Sequence, residues 1–202
     1  MEQLVSASSV AISQSRNMSE VLTGLEATNH YTVNTPGGDR LFDADEYDGP
    51  TLMRWFLKAA RPFTINLRGA DQRIALRLTR PFRFYFHEVE VANGSGVVMG
   101  KVARRFALLH RVYTVHDHMG RTVYELFGPM WKPWTFEIRR NGTQVGEIRK
   151  EWSGVLKEVF SDADNFGMSF PAGANETQKS LLLGAVFLID FLHFENSGNN
   201  NN

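Results

Sequence analysis

The chain reads as a mainly β domain, a barrel or sandwich of around ten short strands with one apolar helix behind them. Three observations predict this. Apolar residues recur with a period of two, not 3.6, along most of the chain. Turn residues punctuate those runs at intervals of roughly 8–12 positions. Then Leu181 to Ile189 runs without one polar side chain and is followed by a lone Asp190. A helix apolar on every face must be enclosed. A closed antiparallel barrel with an apolar inner face supplies the sleeve.

Residues 1–19 are Ser-rich and weakly amphipathic, and are expected to form a flexible N-terminal segment or a loose helix through Leu4, Val5, Ala11 and Ile12. The barrel domain is expected over 20–195. The first hairpin is Tyr31 to Val33, a turn at Thr35-Pro36-Gly37-Gly38, and Arg40 to Asp45. Pro62 to Leu67 is a strand that turns at Arg68 to Asp71. Arg73 to Leu78 alternates Ile74, Leu76 and Leu78 against Arg73, Ala75 and Arg77. Arg83 to Val91 is aromatic and β-branched, and Asn93 to Gly96 turns the chain. Val97 to Val102, Arg111 to His116 and Thr122 to Phe127 continue the series, the last two joined at His118 to Gly120. Thr135 to Lys150 is the clearest hairpin, because Asn141-Gly142 supplies the two positive-φ residues of a type I′ turn. Arg54 to Lys58 and Glu151 to Phe160 read as short helical turns. Residues 196–202 are an Asn-rich tail without the composition of a packed core.

The last helix is expected over Lys179 to Phe194, capped by Asn175 or Thr177 with Glu176 in the first turn. At ~1.5 Å per residue it spans roughly 24 Å. A bilayer core asks for about 20 mostly apolar residues. The segment is short of that and carries Asp190 and His193. A carboxylate in hydrocarbon costs about 2.5–3.5 kcal/mol. Burial inside protein is therefore the expectation, with Gly184 admitting a strand at close range. The residues that define this core helix are Leu181, Leu182, Leu183, Gly184, Val186, Phe187, Leu188, Ile189 and Asp190.

Composition narrows the function. There are 22 basic and 22 acidic residues, so the basic footprint of a nucleic-acid binder is absent and no nucleic-acid partner is expected. No cysteine is present, which removes disulfides, thiolate metal sites, a Cys nucleophile and palmitoylation within these residues. Glu2 stands where a signal peptide carries positive charge, and it blocks N-myristoylation, so an intracellular protein is expected. No phosphate-binding loop and no G-x-S-x-G frame occur, and no enzymatic activity is expected. His116-Asp117-His118 is the one tight grouping with metal-like spacing, and no third ligand accompanies it.

Three blocks then resemble the phospholipid scramblase family: Gly146 to Gly154 (GEIRKEWSG), Phe160 to Gly167 (FSDADNFG), and Leu183 to Phe191 (LGAVFLIDF) with Phe194-Glu195. Shorter matches lie upstream at Glu20 to Glu26, Asn29 to Tyr31, Arg61 to Phe63, Arg80-Pro81, Gly100 to Val102 and Phe127 to Pro129. Together they cover roughly residues 20–195. The resemblance implies a tubby-like fold, a closed barrel of about twelve strands around one C-terminal helix. It also implies ATP-independent, bidirectional, calcium-triggered movement of phospholipids between leaflets, at the cytoplasmic face of a membrane. The alternative is a non-transporting module that binds anionic lipids or proteins in signalling. Gly146 to Gly154, with Glu147 and Glu151 among its charges, makes a poor nuclear-import element.

The sequence departs from the family in three places. The acylated cysteine cluster of many members is replaced by aromatic residues at Pro81 to Val89 (PFRFYFHEV). The family's Pro-rich N-terminal extension does not appear. The proposed calcium segment maps to Asp162 to Gly173 and is thin. Asp162 and Asp164 fill positions 1 and 3 of an EF-hand-like loop, with Asn165 beside them, but Phe166, Phe170 and Gly173 occupy positions 5, 9 and 12. A weak calcium site is the functional reading. The alternative is a local turn in which Gly167 takes positive φ and Phe166 and Phe170 plug the core. For an anionic membrane surface the candidates are Arg73, Arg77, Arg80, Arg83, Arg104 and Arg105, with Lys101 and Arg111 beside them, on one outer face of the barrel. A solvated outer wall is the plainer reading of the same residues. Trp55 and Trp131 to Trp134 suit either a membrane interface or a plug at the barrel end.

Overall fold

In a computed structural model the described residues are 1–16, 29–48, 62–82, 86–151 and 165–193. Twelve strands close into one antiparallel barrel. They are β1 (Ser9–Arg16), β2 (Asn29–Asn34), β3 (Arg40–Asp48), β4 (Phe63–Arg68), β5 (Ile74–Arg80) and β6 (Glu88–Asn93), then β7 (Val98–Arg105), β8 (His110–Asp117), β9 (Thr122–Pro129), β10 (Thr135–Arg140), β11 (Thr143–Glu151) and β12 (Asn165–Ser169). Each strand from β2 to β12 pairs with its predecessor, except that β1 sits between β12 and β2 and closes the circle. Two helices complete the fold, α1 (Glu2–Ser6) and α2 (Glu176–His193).

Alternation sets the barrel wall. Ile65 and Leu67, Leu76 and Leu78, Val89 and Val91, Tyr113 and Val115, and Phe136 and Ile138 all point inward and are buried. Their outward neighbours include Arg77, Glu90, Lys101 and Glu125, all exposed. α2 fills the lumen: its apolar side chains from Leu181 to Ile189 are no more than 2 % exposed. Each buried Leu, Ile, Val or Phe there contributes about 1.5–3 kcal/mol. Gly184 faces β6, and a Cβ at that position would lie 2.6 Å from Val91 Cγ2. The close approach expected from the sequence is therefore present.

α2 begins three residues before the expected Lys179 and is capped by Asn175. The Gln178 backbone N–H donates to Asn175 Oδ1 at 2.9 Å, and the Asn175 N–H donates to Gln178 Oε1 at 3.2 Å. This reciprocal pair is a capping box. At the hairpin turn Asn141 and Gly142 have φ of 50° and 79°, as the type I′ geometry requires.

Three expectations change. Within residues 1–16, Leu4 and Val5 lie in helix α1, but Ala11 and Ile12 do not continue it: Ser9–Arg16 forms β1 and buries Val10 and Ile12 against the helix side of the sheet. The alternation at Val10 and Ile12 is diluted by four serines at positions 6, 8, 9 and 13. Asn165–Ser169 is a strand, not a turn: Gly167 pairs with Ala11 on one side and Arg149 on the other and takes no positive φ. β1 and β12 thus account for the two strands missing from the sequence count. β6 starts only at Glu88, with Phe86 and His87 ahead of it in non-strand backbone. The short helices read at Arg54 to Lys58 and after Glu151, and the Asn-rich tail, lie outside the described residues.

Candidate functional site

Successive strands run in opposite directions, so the connections β5–β6, β7–β8 and β9–β10 share one end of the barrel with the C-terminus of α2. This is the exit end. The turns β2–β3, β4–β5, β6–β7, β8–β9 and β10–β11 lie at the entry end with the N-terminus of α2. Polar groups in the lumen gather near the two ends of the helix.

At the entry end Lys179 is buried, and its Nζ donates to the carbonyls of Leu4 (3.1 Å), Val5 (2.6 Å) and Ala7 (2.7 Å). These oxygens belong to the end of α1, so Lys179 ties the N-terminal helix over the barrel mouth. Inside the lumen Asp190 is 3 % exposed. It accepts a hydrogen bond from Tyr31 Oη at 3.2 Å and faces Lys150 Nζ at 4.0 Å. Lys150 Nζ also lies 5.3 Å from the Phe166 ring centre. The carboxylate that spoils the helix for a bilayer is thus met by a cation and a hydroxyl from the barrel wall.

At the exit end a basic and aromatic cluster surrounds the last turn of α2. Arg80 is 1 % exposed, lies over the Phe191 ring at 4.6 Å, and places Nη2 2.7 Å from His87 Nδ1. Tyr113 Oη is 2.6 Å from His193 Nε2. Burial, then the charges of Arg104, Arg111 and His87, push the His193 imidazole down to about 3. Burial, then Arg80 and Arg104, take His87 down to about 4. Burial pushes the Tyr113 hydroxyl up. Arg111 gathers the β9–β10 loop by donating to the carbonyls of Lys132 (3.0 Å), Pro129 (3.4 Å) and Pro133, and it stacks on Phe136 with its guanidinium 4.4 Å from the ring centre.

The six arginines named from the sequence do not share one outer face. Arg73 sits in the entry-end turn beside Asp71 at 3.8 Å, and Arg77 lies mid-wall with Nε donating to Asn66 Oδ1 at 3.2 Å. Arg80 points inward. Arg104 and Arg105 are exposed at the exit end, and Arg83 lies outside the described residues. Alternation on one strand predicts which wall a residue faces. By that rule Arg80 shares the inward face of Leu76 and Leu78; what the alternation does not reveal is that it lies over the Phe191 ring at the helix terminus. Lys150, Lys179 and Tyr31 were not legible either, since their partners are up to 175 positions away.

For calcium, Asp162 and Asp164 lie outside the described residues. Asn165 is buried at the start of β12, and its Oδ1 has no hydrogen-bond partner. Gly167, at loop position 6, is extended and paired on both sides, so the sharp turn of an EF-hand loop is absent there. Residues 165–173 do not fit such a loop. Phe166 and Phe170 are buried, as the core-plug reading expects. His116-Asp117-His118 is a turn closed by Asp117, whose Oδ1 accepts from the Met119 and Arg121 backbone N–H groups. Among the described residues no group of three or more His, Asp or Glu is placed to hold a metal ion. Among them also, no helix is long and apolar enough to cross a membrane.

A family model described as Scramblase matches residues 1–196. The chain is 32 % identical over 213 residues to phospholipid scramblase 1 of Rattus norvegicus, covering 98 % of this chain and 63 % of that protein. Human phospholipid scramblase 1 is 32 % identical over 98 % of this chain and 66 % of its own length. Human phospholipid scramblase family member 5 is 27 % identical, with 98 % and 78 % covered. The chain therefore spans a little under two-thirds of the length of the first of these relatives. No solved structure matches it. With the family match running over residues 1–196 and the aligned relatives covering 98 % of its length, the chain belongs to the Scramblase family.

Proposed function

We propose that this chain moves phospholipids between membrane leaflets in both directions without ATP, working from the cytoplasmic face of a membrane. The observation that carries this is its similarity, along 98 % of its length, to proteins named phospholipid scramblases. The absence of a phosphate-binding loop in the sequence supports independence from ATP. Without an energy source, movement runs toward equilibrium in both directions. The lumen is filled by α2, so no lipid passes through the barrel. The wall is charged on its outside, so the barrel acts from the membrane surface. Its partners are phospholipids, anionic ones foremost, and no reaction on a covalent bond is assigned to it.

A second reading, a lipid-binding module that transports nothing, is favoured by the plugged lumen and the charged wall. Liposomes with fluorescent lipid and added dithionite separate the two. Bleaching well beyond the outer leaflet's share supports transport; a plateau at that share rejects it. The proposal routes no step through calcium. Calorimetry at millimolar calcium tests for it: heat abolished by Asp162→Ala with Asp164→Ala would establish binding through those carboxylates, and no heat would remove calcium from the account.

A further inference from the structure

The exposed aromatic side chains of this protein are not scattered. Every exposed Phe and Trp among the described residues lies at the exit end. Three neighbouring connections carry them. Phe86 in β5–β6 is 77 % exposed, Phe106 in β7–β8 is 92 % exposed with Leu108 and Leu109 beside it, and Trp131 in β9–β10 is 73 % exposed next to Met130. β5 to β10 are consecutive around the barrel, so these tips form one arc of the rim. At the entry end the turns are tight and carry Asp39, Asp71 and Asp117.

Charge follows the same division. Residues 80–87, 104–111 and 129–135 contain no Asp or Glu, and they hold Arg80, Arg83, Arg104, Arg105, Arg111 and Lys132. Among the described residues the cations of this arc have no carboxylate in their own loops, whereas Arg40, Arg73 and Arg121 at the entry end are paired with Asp43, Asp71 and Asp117. Arg111 gives that rim a fixed shape, because its three carbonyl partners hold the loop that presents Trp131. Trp131 also packs edge-on to His110, ring centres 6.2 Å apart.

Resting on the lipid reading above, we propose that the exit end is the docking face of the protein, seated on an anionic bilayer with Phe86, Phe106, Leu108, Leu109 and Trp131 at the interface and Arg104, Arg105 and Lys132 on the headgroups. Separate apolar tips ringed by cations match an interface where acyl chains lie beneath a negative surface. A protein groove would call for a continuous apolar strip instead. Basic residues there each strengthen attachment to an anionic leaflet by roughly fivefold. The barrel then stands on its rim, and α2 meets the membrane end-on.

The test uses the full chain with Trp55, Trp134 and Trp152 changed to Phe, leaving Trp131, on vesicles of phosphatidylcholine with or without phosphatidylserine and with brominated acyl chains. The expected result is a blue shift and bromine quenching of Trp131 on the phosphatidylserine vesicles. A reporter at the other end, Met119→Trp in a chain with all four native Trp changed to Phe, stays unquenched. Phe106→Ser with Leu109→Ser weakens vesicle partition by about tenfold, and Arg104→Gln or Arg105→Gln by about fivefold each. These side chains are exposed, so thermal melting stays as in the parent. Four results would overturn the proposal. They are quenching at the Met119 site instead, pelleting with vesicles while Trp131 is unquenched, no pelleting at all, or shielding of Trp131 from acrylamide before lipid is added. The last would mean that a second copy or another segment of the chain covers the rim. Transport without Trp131 quenching defeats this inference alone; Trp131 quenching without transport defeats the transport reading alone.

Discussion

Asp190 is the residue on which the enclosure of the helix turns. It was legible as an anomaly, a single carboxylate after nine residues without a polar side chain. Its partners were not, because Tyr31 and Lys150 come from strands far away in the chain. Removing one partner of a buried pair leaves a desolvated charge and costs about 3–5 kcal/mol. Lys150→Met is expected to destabilise by that order in urea unfolding, whereas Lys150→Met with Asp190→Leu loses less than the single change. Equal losses would mean that the pair is not coupled.

The histidines at the exit end yield a pH prediction. His193 and His87 stay neutral in the folded chain, depressed to about 3 and about 4, but protonate near 6.5 when unfolded. His193 is faced by Arg104, Arg111 and His87, and His87 by Arg80 and Arg104. Between those values the unfolded state binds more protons, so their contribution is full above 6.5 and falls as pH drops toward 4 and then 3. Urea midpoints should decline across that window. His87→Gln with His193→Gln should flatten the decline, and an unchanged slope would remove these groups as its cause.

Elements differed in how readable they were. The hairpins with Gly or Asn-Gly turns were plain, because the turn residues and the alternation agree. β1 and β12 were hidden, one by serines in its pattern and the other by an acidic stretch that also suits a metal loop. Pairing with each other and with β2 and β11 decided both, and pairing is a property of the closed sheet. The α2 cap was readable to within two candidates, and the Gln178 reach-back selects Asn175. Gly184 is where helix and wall meet most closely. A Cβ there clashes with Val91, an overpacking cost of about 1–3 kcal/mol, against roughly 1 kcal/mol gained from Ala over Gly in a helix. Gly184→Ala should therefore destabilise modestly and Gly184→Leu severely. Adding Val91→Ala should relieve the Gly184→Ala strain, giving a double variant more stable than the two losses summed. Strict additivity would show that the contact is not tight.

At the scale of the whole molecule the closed barrel followed from one argument: an all-round apolar helix too short and too charged for a bilayer needs a sleeve. The candidate lipid site was read less well. The basic residues were visible, but strand order and direction distribute them between two ends and the interior, and only the closed topology brings the three aromatic loops to one rim. The most direct measurement of the enclosure is labelling by a photoactivatable phospholipid whose reactive group sits in the acyl chain, with the native chain bound to vesicles and the adducts mapped by mass spectrometry. The account predicts no adduct anywhere between Leu181 and Ile189. Adducts along that stretch would show it in contact with lipid tails and would contradict the barrel as its sheath.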